Sequence, residues 1–184
     1  DAIAALFGAR ADVAVISREL VPEERRAAVQ GKLEVDGYRF ARDAAVLLVH
    51  PSNPVTNLTL EDVRGMYSGH VRNWSEVGGR NEPVECLAPP NGSDLMEFFT
   101  EAVMQSTPIG DRARTVAGDS EAVRAVSQRP GAVAIGTLAA TSGGGKALHL
   151  SALRGLAYYR PDPEMVHDGR YPVTRFYNLY ARAR

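Results

Sequence analysis

Short apolar runs alternate with helix-like stretches along the chain, and this alternation restricts the possible folds more than any other feature. Four runs have the length and the Val, Ile and Leu content of buried strands. These runs are ADVAVIS (11–17), AAVLLVH (44–50), PVECLAP (83–89) and AVAIGTL (132–138). Because helical patterns lie between them, the sequence predicts an α/β protein with mixed, mainly parallel sheets.

The helix-like stretches have recognisable starts and ends. Pro22 lies in the first turn of one charged helix and Gly31 follows its end, as these residue types commonly do. Thr59 is predicted to cap the helix that follows it. Further helices are predicted over residues 1–10, 91–104 and 119–131, and a terminal strand over 171–182 with Tyr177, Leu179 and Ala181 on one face.

Two clusters of turn-forming residues divide the chain into outer, inner and outer parts. They are PSNPVTN (51–57) and TSGGGK (141–146). This division predicts a first lobe formed by residues 1–50 and 141–184 and a second lobe formed by residues 51–140. The two clusters would then be interlobe crossings at a hinge.

Composition and charge exclude several classes of protein. The 184 residues include 21 Lys and Arg against 22 Asp and Glu, a net charge of −1. A protein that binds nucleic acid electrostatically shows a basic excess or patch, so no nucleic-acid partner is expected. No apolar run reaches the roughly 18–20 residues that a membrane span needs.

Cysteine and histidine usage argues against metal sites and catalysis. Cys86 is the single cysteine and lies in an apolar strand, so it cannot form an internal disulfide and is predicted to be buried and unreactive. No group of Cys and His has metal-ligand spacing, so neither a metal nor a cofactor is expected. His50, His70, His149 and His167 are scattered, without the partners of a catalytic triad. We therefore predict no catalytic residues and no enzyme.

The strongest local signal for binding is Pro89-Pro90-Asn91-Gly92-Ser93-Asp94, which joins a predicted strand to a predicted helix. The first backbone N–H groups of a helix are unsatisfied and lie at the positive end of its dipole, so they favour anions. Gly92 would let a ligand approach the backbone, and Ser93 offers a hydroxyl. The alternative is that Asn91 or Ser93 only caps the helix.

Two other junctions have the same design. Ser17 and Arg18 lie at the end of the first strand, where ligands of open α/β folds bind. The alternative for Arg18 is a surface Arg–Glu ion pair, which is worth little. Residues 117–120 precede another helix, with Asp119 interpreted as its cap. Residues 143–146 lack the full pattern of a phosphate-binding loop and are interpreted as a linker.

Several of these segments together resemble the substrate-binding proteins of phosphate ABC transporters, a periplasmic binding protein-like family. The most specific is PSNPVTNLTLEDVRGMYSGHVRNWSEVGG (51–79), in which NP, an L-T helix that ends in S-G, then NW and GG follow in the family's order. ADVAVISREL, SEAVRAVSQRPGAVAIGTL and DGRYPVTRFYNLYAR extend the resemblance over nearly the whole chain.

The resemblance implies a two-lobed type II fold that closes about a hinge around a dehydrated oxyanion. In such proteins backbone N–H groups, hydroxyls and usually one arginine hold the ligand. On this basis the expected ligand-binding residues are Ser17, Arg18, Asn91, Gly92, Ser93 and Asp94. The resemblance also implies a monomer that serves ABC transporter membrane subunits, located in the periplasm or at the cell surface, with its signal peptide outside these residues.

Two departures from the family pattern bear on affinity. The opening strand and its Gly/Ser-rich loop, which supply further donors, are absent from the sequence. In the second loop Asp94-Leu95 replaces the usual Gly-Thr, and Pro89 stands where relatives carry an arginine. Because a hydrogen bond to a charged group is worth about 1.5–3 kcal/mol, two lost contacts would weaken binding by roughly two to four decades. Asp94 would either repel a dianion or accept the remaining proton of phosphate.

The sequence therefore predicts a solute-binding domain for phosphate or a related oxyanion that serves ABC-type uptake, with weakened affinity. The alternative is a binding-protein-like domain that has lost transport function and acts as a sensory or protein-interaction module. A titration with phosphate discriminates between the two.

Overall fold

The computed structural model describes residues 2–183. Its helices are α1 (Ala2–Phe7), α2 (Pro22–Gln30), α3 (Leu60–Ser68), α4 (Asp94–Phe99), α5 (Asp119–Gln128) and α6 (Pro163–His167). Its strands are β1 (Val13–Ile16), β2 (Val35–Val49), β3 (Asn57–Thr59), β4 (Glu85–Ala88), β5 (Arg114–Thr115), β6 (Ala132–Thr137), β7 (Lys146–Ala147), β8 (His149–Ser151) and β9 (Thr174–Arg182). Within the described range no helix has both the length and the apolar character needed to cross a bilayer.

The chain forms two compact units. The small unit contains the residues up to Asp43 and those from Arg175 onward, and the large unit is Ala44–Thr174. The predicted division differs, since it placed 44–50 and 141–174 with the chain ends. Residues of β2 beyond Asp43 pair with β6 and β7, and β8 pairs with β3, which ties both of these segments to the large unit.

The small unit is an antiparallel arrangement with a modest core. β1 pairs with β9, with Val15 opposite Leu179. α1 packs on one side of this pair, and its Ile3 and Leu6 form a buried cluster with Ala14 and Tyr180. The first part of β2 lies beside β9. This core is small, because its cluster contains four buried residues within the described part of the unit.

The large unit has a mixed sheet at its centre. Ala44–Val49 of β2 are completely buried, which confirms the strand predicted from the apolar run 44–50. This part of β2 pairs antiparallel with β6, β6 pairs parallel with β4, and β4 pairs parallel with β5. A separate parallel pair joins β3 to β8. The expected α/β class with mixed sheets is confirmed.

Residues 51–79, the segment most typical of the family, build one corner of the large unit. Thr59 caps α3 as predicted: its hydroxyl oxygen accepts a hydrogen bond from the Asp62 N–H at 3.1 Å, and the Asp62 carboxylate accepts from the Thr59 N–H at 2.9 Å. Trp74 is 1% exposed and its Nε1 donates to the Gly131 carbonyl at 2.9 Å. Gly79 lies against Trp74, where a Cβ would come within 2.8 Å of the Trp74 Cβ.

Some elements differ from the sequence expectation. β2 begins at Val35, nine residues before the predicted apolar run 44–50, and continues through that run without a break. The segment predicted as a flexible linker contains the end of a 3₁₀ helix (Leu138–Gly143) and part of β7. α4 is shorter than predicted and passes into a π-helical turn (Thr100–Met104).

Candidate functional site

The carboxyl ends of β4, β5 and β6 lie at one edge of the large unit's sheet, because these three strands are parallel. In open α/β folds ligands bind at this edge. A cavity of about 570 Å³ lies here. Its lining residues are Pro89, Pro90, Ser93, Leu95, Val116, Ala117, Gly118, Asp119, Ser120, Glu121, Ile135 and Thr137.

Ser93 reaches this cavity from the loop after β4. Its hydroxyl oxygen accepts a hydrogen bond from the Met96 N–H at 3.3 Å, so it is the N-cap of α4. Its own N–H donates to the Pro90 carbonyl at 3.1 Å, which closes the loop. The capping interpretation of Ser93 is therefore correct, and because the hydroxyl is both donor and acceptor, its hydrogen can still be directed to a ligand.

The other predicted residues of this loop lie outside the cavity lining. Gly92 has φ of +75°, a left-handed conformation that favours glycine, and it lets the chain turn into α4. Asn91 and Asp94 are exposed, and Asp94 lies in the first turn of α4. The loop thus brings one of its four predicted ligand residues, Ser93, to the cavity, with the Asp94 carboxylate next to it in the chain.

Hydrogen bonds between the start of α5 and the end of β6 form another part of the cavity wall. The Asp119 carboxylate accepts hydrogen bonds from the Thr137 N–H at 2.9 Å and from the Thr137 hydroxyl. The N-cap of α5 is Gly118, so Asp119 is not the cap that the sequence suggested. Thr137 was not among the predicted site residues, although its position at the end of a predicted buried strand could have indicated that it reaches this edge of the sheet.

A second carboxylate accepts a hydrogen bond from the backbone at the start of α5. The Glu121 carboxylate accepts a hydrogen bond from the Ala117 N–H at 2.7 Å. Ser120, by contrast, is exposed at the cavity in the first turn of the helix. The remaining N–H groups of that turn lack partners within the helix and lie at the positive end of its dipole.

The cavity is electrostatically unusual for a site that would hold a dianion. Neither lysine nor arginine is among its lining residues, all of which belong to the described part of the chain. Its charged groups are the carboxylates of Asp119 and Glu121, each already accepting hydrogen bonds from the protein. Donors to an anion are therefore neutral here: the hydroxyls of Ser93 and Ser120 and backbone N–H groups.

Ser17 and Arg18, the other predicted ligand residues, belong to the small unit, directly after β1. The Arg18 guanidinium forms a bidentate ion pair with Glu24, with both N–O distances at 2.8 Å, and it donates to the Glu19 carbonyl at 2.9 Å. This is an Arg–Glu pair of the kind given as the alternative to a ligand role. The hydrogen bond from Arg18 lowers the pKa of Glu24, with help from the Val21 N–H and against the opposing effect of burial. Arg18 thus fixes the start of α2, and its ligand role stays a prediction.

Cys86 and the histidines are the residues considered for metal binding and catalysis. Cys86 is buried, and burial raises its pKa to about 12, as expected for an unreactive thiol. Among residues 2–183 no group of three or more His, Cys, Asp or Glu side chains is arranged to hold a metal ion. His50 and His70 each contact a nearby serine hydroxyl at 2.7 Å, Ser52 and Ser68 respectively.

Comparisons with known proteins agree with this architecture. The family model for the PBP superfamily domain matches residues 1–183. The phosphate-binding protein PstS of Pseudomonas aeruginosa is 23% identical over 152 residues, which cover 76% of this chain and 47% of that protein. PstS of Bacillus subtilis is 21% identical over 161 residues, covering 86% of this chain and 51% of that protein. The chain thus spans about half the length of these curated relatives.

Solved structures show the same fold. An ABC-type phosphate transport receptor from Vibrio cholerae superposes with a TM-score of 0.80 at 22% identity, covering 98% of this chain and 71% of that one. A Clostridium perfringens protein assigned as a phosphate ABC transporter substrate-binding protein, with bound phosphate, gives 0.79 at 22% identity, covering 98% and 70%. With the family model matched from residue 1 to 183, the predicted resemblance is confirmed, and the chain belongs to the PBP superfamily.

Proposed function

We propose that this chain is a solute-binding domain for phosphate or a related oxyanion and that it serves ABC-type uptake. The observation that carries the proposal is the cavity at the carboxyl edge of β4, β5 and β6, where helix starts and hydroxyls converge. The relatives named as phosphate-binding proteins support the choice of ligand. The role is binding rather than catalysis, and the partners are membrane subunits of a transporter, met by a monomer in the periplasm or at the cell surface.

Recognition in the cavity would rest on neutral donors. Phosphate offers acceptor oxygens that the Ser93 and Ser120 hydroxyls and the N–H groups at the start of α5 can reach from the cavity wall. The α5 dipole adds a favourable interaction of about 0.3–1 kcal/mol. The Asp119 and Glu121 carboxylates accept hydrogen bonds from Thr137 and from the Ala117 N–H, which fixes the start of α5 at the cavity.

The same geometry implies weak binding. Charge-assisted hydrogen bonds are roughly twice as strong as neutral ones, and the cavity lining supplies no cationic side chain. Asp94 places a carboxylate next to Ser93 in the first turn of α4. We therefore expect phosphate affinity to be lower than in a site with an arginine in this loop.

Calorimetric titration with phosphate tests the proposal through Ser93. Ser93→Ala removes a hydroxyl at the cavity, and we expect phosphate affinity to fall about tenfold or more, the loss of one hydrogen bond to a charged group. Ser93→Thr keeps the hydroxyl and should bind nearly as well as the unaltered protein. Thr59→Ala also removes a capping hydroxyl of a helix in the large unit, but away from the cavity, and should leave affinity unchanged. Equal losses in Ser93→Ala and Thr59→Ala would contradict a role for Ser93 in binding.

A sensory or protein-interaction role is the second candidate, and the absence of lysine and arginine from the cavity lining favours it. A domain without transport function has no need to hold a dianion. Titration of the unaltered protein with phosphate and with sulfate distinguishes the two candidates. If neither anion gives a measurable heat of binding while the protein remains folded, the second role is favoured.

A further inference from the structure

A second cavity of the large unit lies between α5 and β5, the strand at the end of the sheet. We name it the arginine cavity, because Arg114, Arg124 and Arg129 line it. Its volume is about 180 Å³, below the roughly 300–1,000 Å³ of sites for drug-sized ligands. A cavity of this size fits a small ionic group rather than a whole organic molecule.

Three different parts of the fold bring the arginines to this cavity. Arg114 belongs to β5, Arg124 to α5, and Arg129 is the C-cap residue of α5. Arg124 and Gln128 are four positions apart on α5, so their side chains lie on the same face of the helix. One helix face, one strand and one helix end therefore surround the cavity with guanidinium groups.

One carboxylate holds two of the guanidinium groups. The Glu85 Oε1 atom accepts hydrogen bonds from Arg114 Nη1 at 2.9 Å and from Arg129 Nη1 at 2.6 Å. A guanidinium group has five N–H donors, so these bonds use one donor of each arginine. The side chains of Arg114 and Arg129 are 62% and 40% exposed, so their other N–H groups are accessible to a solute.

Arg124 supplies a guanidinium group that forms neither a hydrogen bond nor an ion pair with any residue from 2 to 183. Glu121 also lines the cavity, and its carboxylate accepts a hydrogen bond from the Ala117 N–H at 2.7 Å. Together with Glu85 it brings two negative charges to the three arginines. One positive charge is therefore in excess at the arginine cavity.

The arginine cavity differs in chemistry from the 570 Å³ cavity at the carboxyl edge of β4, β5 and β6. The two linings have Val116 and Glu121 in common. The larger cavity offers hydroxyls and backbone N–H groups, and its lining contains neither lysine nor arginine. The arginine cavity offers guanidinium groups, with Thr115 and Gln128 as neutral donors. The two cavities are therefore separate sites.

We propose that the arginine cavity binds a doubly charged tetrahedral oxyanion group, either free sulfate or phosphate or the phosphate group of a phosphomonoester. Guanidinium groups match the oxygens of such anions in bidentate geometry, and charge-assisted hydrogen bonds are about twice as strong as neutral ones. The anion accepts N–H groups of Arg124 and the N–H groups of Arg114 and Arg129 that Glu85 leaves unused. Glu85 stays in place and keeps those two side chains in position.

Arginine side-chain NMR tests the proposal, because each Nε–H resonance reports on its own guanidinium group. The resonances of Arg114, Arg124 and Arg129 are assigned from single Gln variants. They are then followed while the protein is titrated with sodium sulfate, sodium phosphate or methyl phosphate, with sodium chloride added to hold the ionic strength constant. Arg26, which is exposed on α2 of the small unit, is the control.

We expect the three cavity resonances to shift together and to saturate, while the Arg26 resonance stays unchanged. In Arg124→Gln the affinity read from the other two cavity arginines should fall about tenfold or more, the loss of one hydrogen bond to a charged group. Arg26→Gln removes the same charge elsewhere and should leave the affinity unchanged. Shifts that do not saturate with any of the three anions, or equal losses in Arg124→Gln and Arg26→Gln, would overturn the proposal.

The methyl phosphate titration distinguishes the two sources of the anion. Binding as tight as that of free phosphate would support a phosphomonoester as ligand, since the methyl group then projects from the cavity without loss. Binding of sulfate and phosphate alone would support a free anion.

Ser93→Ala separates this site from the 570 Å³ cavity. The variant should leave the shifts of the cavity arginines unchanged, and Arg124→Gln should leave unchanged the phosphate binding that depends on Ser93. Loss of the arginine shifts in Ser93→Ala would overturn the proposal, because the shifts would then report an anion in the larger cavity. The outcome at the arginine cavity thus does not depend on whether phosphate binds near Ser93.

Discussion

The segment 51–79 and the cavity rim at residues 89–94 both belong to the large unit, but their side chains have different structural roles. In the first, Thr59 and Asp62 bond to each other across a helix start, and Trp74 is buried and bonded to Gly131. In the second, Asn91 and Gly92 are exposed, and Ser93 combines a cap with a place in the cavity lining. The most family-like part of the sequence therefore builds the fold, and the less family-like part contributes to the rim of the candidate cavity.

This difference explains why the family is easier to establish than the ligand. The residues that make 51–79 typical include the cap Thr59, the buried indole of Trp74 and the closely packed Gly79, and these residues stabilise the fold. Pro89 lines the cavity and Asp94 is exposed next to Ser93 in the chain, so the departures from the family pattern at 89–94 alter donors and charge near the cavity. Substitutions in the two segments separate the two contributions.

The largest expected effect is on stability in the segment 51–79. Trp74→Ala should lower the free energy of unfolding by about 3–5 kcal/mol, the usual cost of truncating a fully buried tryptophan. Denaturant unfolding followed by circular dichroism measures it. Tyr158→Ala, at an aromatic residue that is 38% exposed, is the control and should cost far less. Similar losses for the two variants would show that Trp74 does not anchor this corner.

A smaller effect is expected from the turn at the cavity rim. Gly92→Ala should cost about 1–2 kcal/mol, because an L-residue is strained at φ of +75° although the added Cβ meets no atom within 4 Å. Gly118→Ala is the matched control: the Cβ there also meets nothing, and its φ of 162° is extended. The same unfolding measurement compares them. A cost for Gly118→Ala as large as that for Gly92→Ala would contradict the explanation by backbone strain.

The smallest effect concerns pH and the ion pair of the small unit. The pKa of Glu24 is lowered from its ordinary 4.5, chiefly by the hydrogen bond from Arg18. The stabilisation is therefore complete above 4.5 and is lost as the pH falls through the lowered value. In Glu24→Gln the free energy of unfolding should fall less steeply as the pH is lowered, measured by denaturant unfolding between about pH 3 and 6. Glu23→Gln, in the same helical turn, should retain the slope; a loss of slope in both variants would count against the Arg18 pair.

Sequence reasoning predicted the elements whose signal is local. Continuous apolar runs predicted the buried part of β2 and β6, and Thr59 was recognisable as a cap from its position before a helical pattern. The loop at 89–94 was identified as a strand-to-helix junction, and Ser93 does line the cavity.

What the sequence could not predict depends on contacts between distant elements. The boundary between the two units falls inside the continuous strand β2, so no turn-forming residue marks it. Asp119, at the start of α5, accepts a hydrogen bond from Thr137, at the end of β6 and eighteen positions away, and this contact depends on the packing of the helix against the strand rather than on a local pattern. Arg18 pairs with Glu24, six positions along the chain, and the sequence alone did not identify which glutamate would be its partner.

The central claim is that an oxyanion binds at the large unit's cavity and that the rim sets its affinity. Calorimetric titration of the unaltered protein and of Asp94→Asn with phosphate and sulfate tests it most directly, since Asn keeps the shape of the side chain and removes its charge. We predict weak phosphate binding that tightens about fivefold in Asp94→Asn, equivalent to roughly 1 kcal/mol of relieved repulsion. Weaker phosphate binding in Asp94→Asn, with lost discrimination against sulfate, would show instead that Asp94 accepts the proton of phosphate. Phosphate affinity that is tight in both proteins and unaffected by the substitution would contradict the claim.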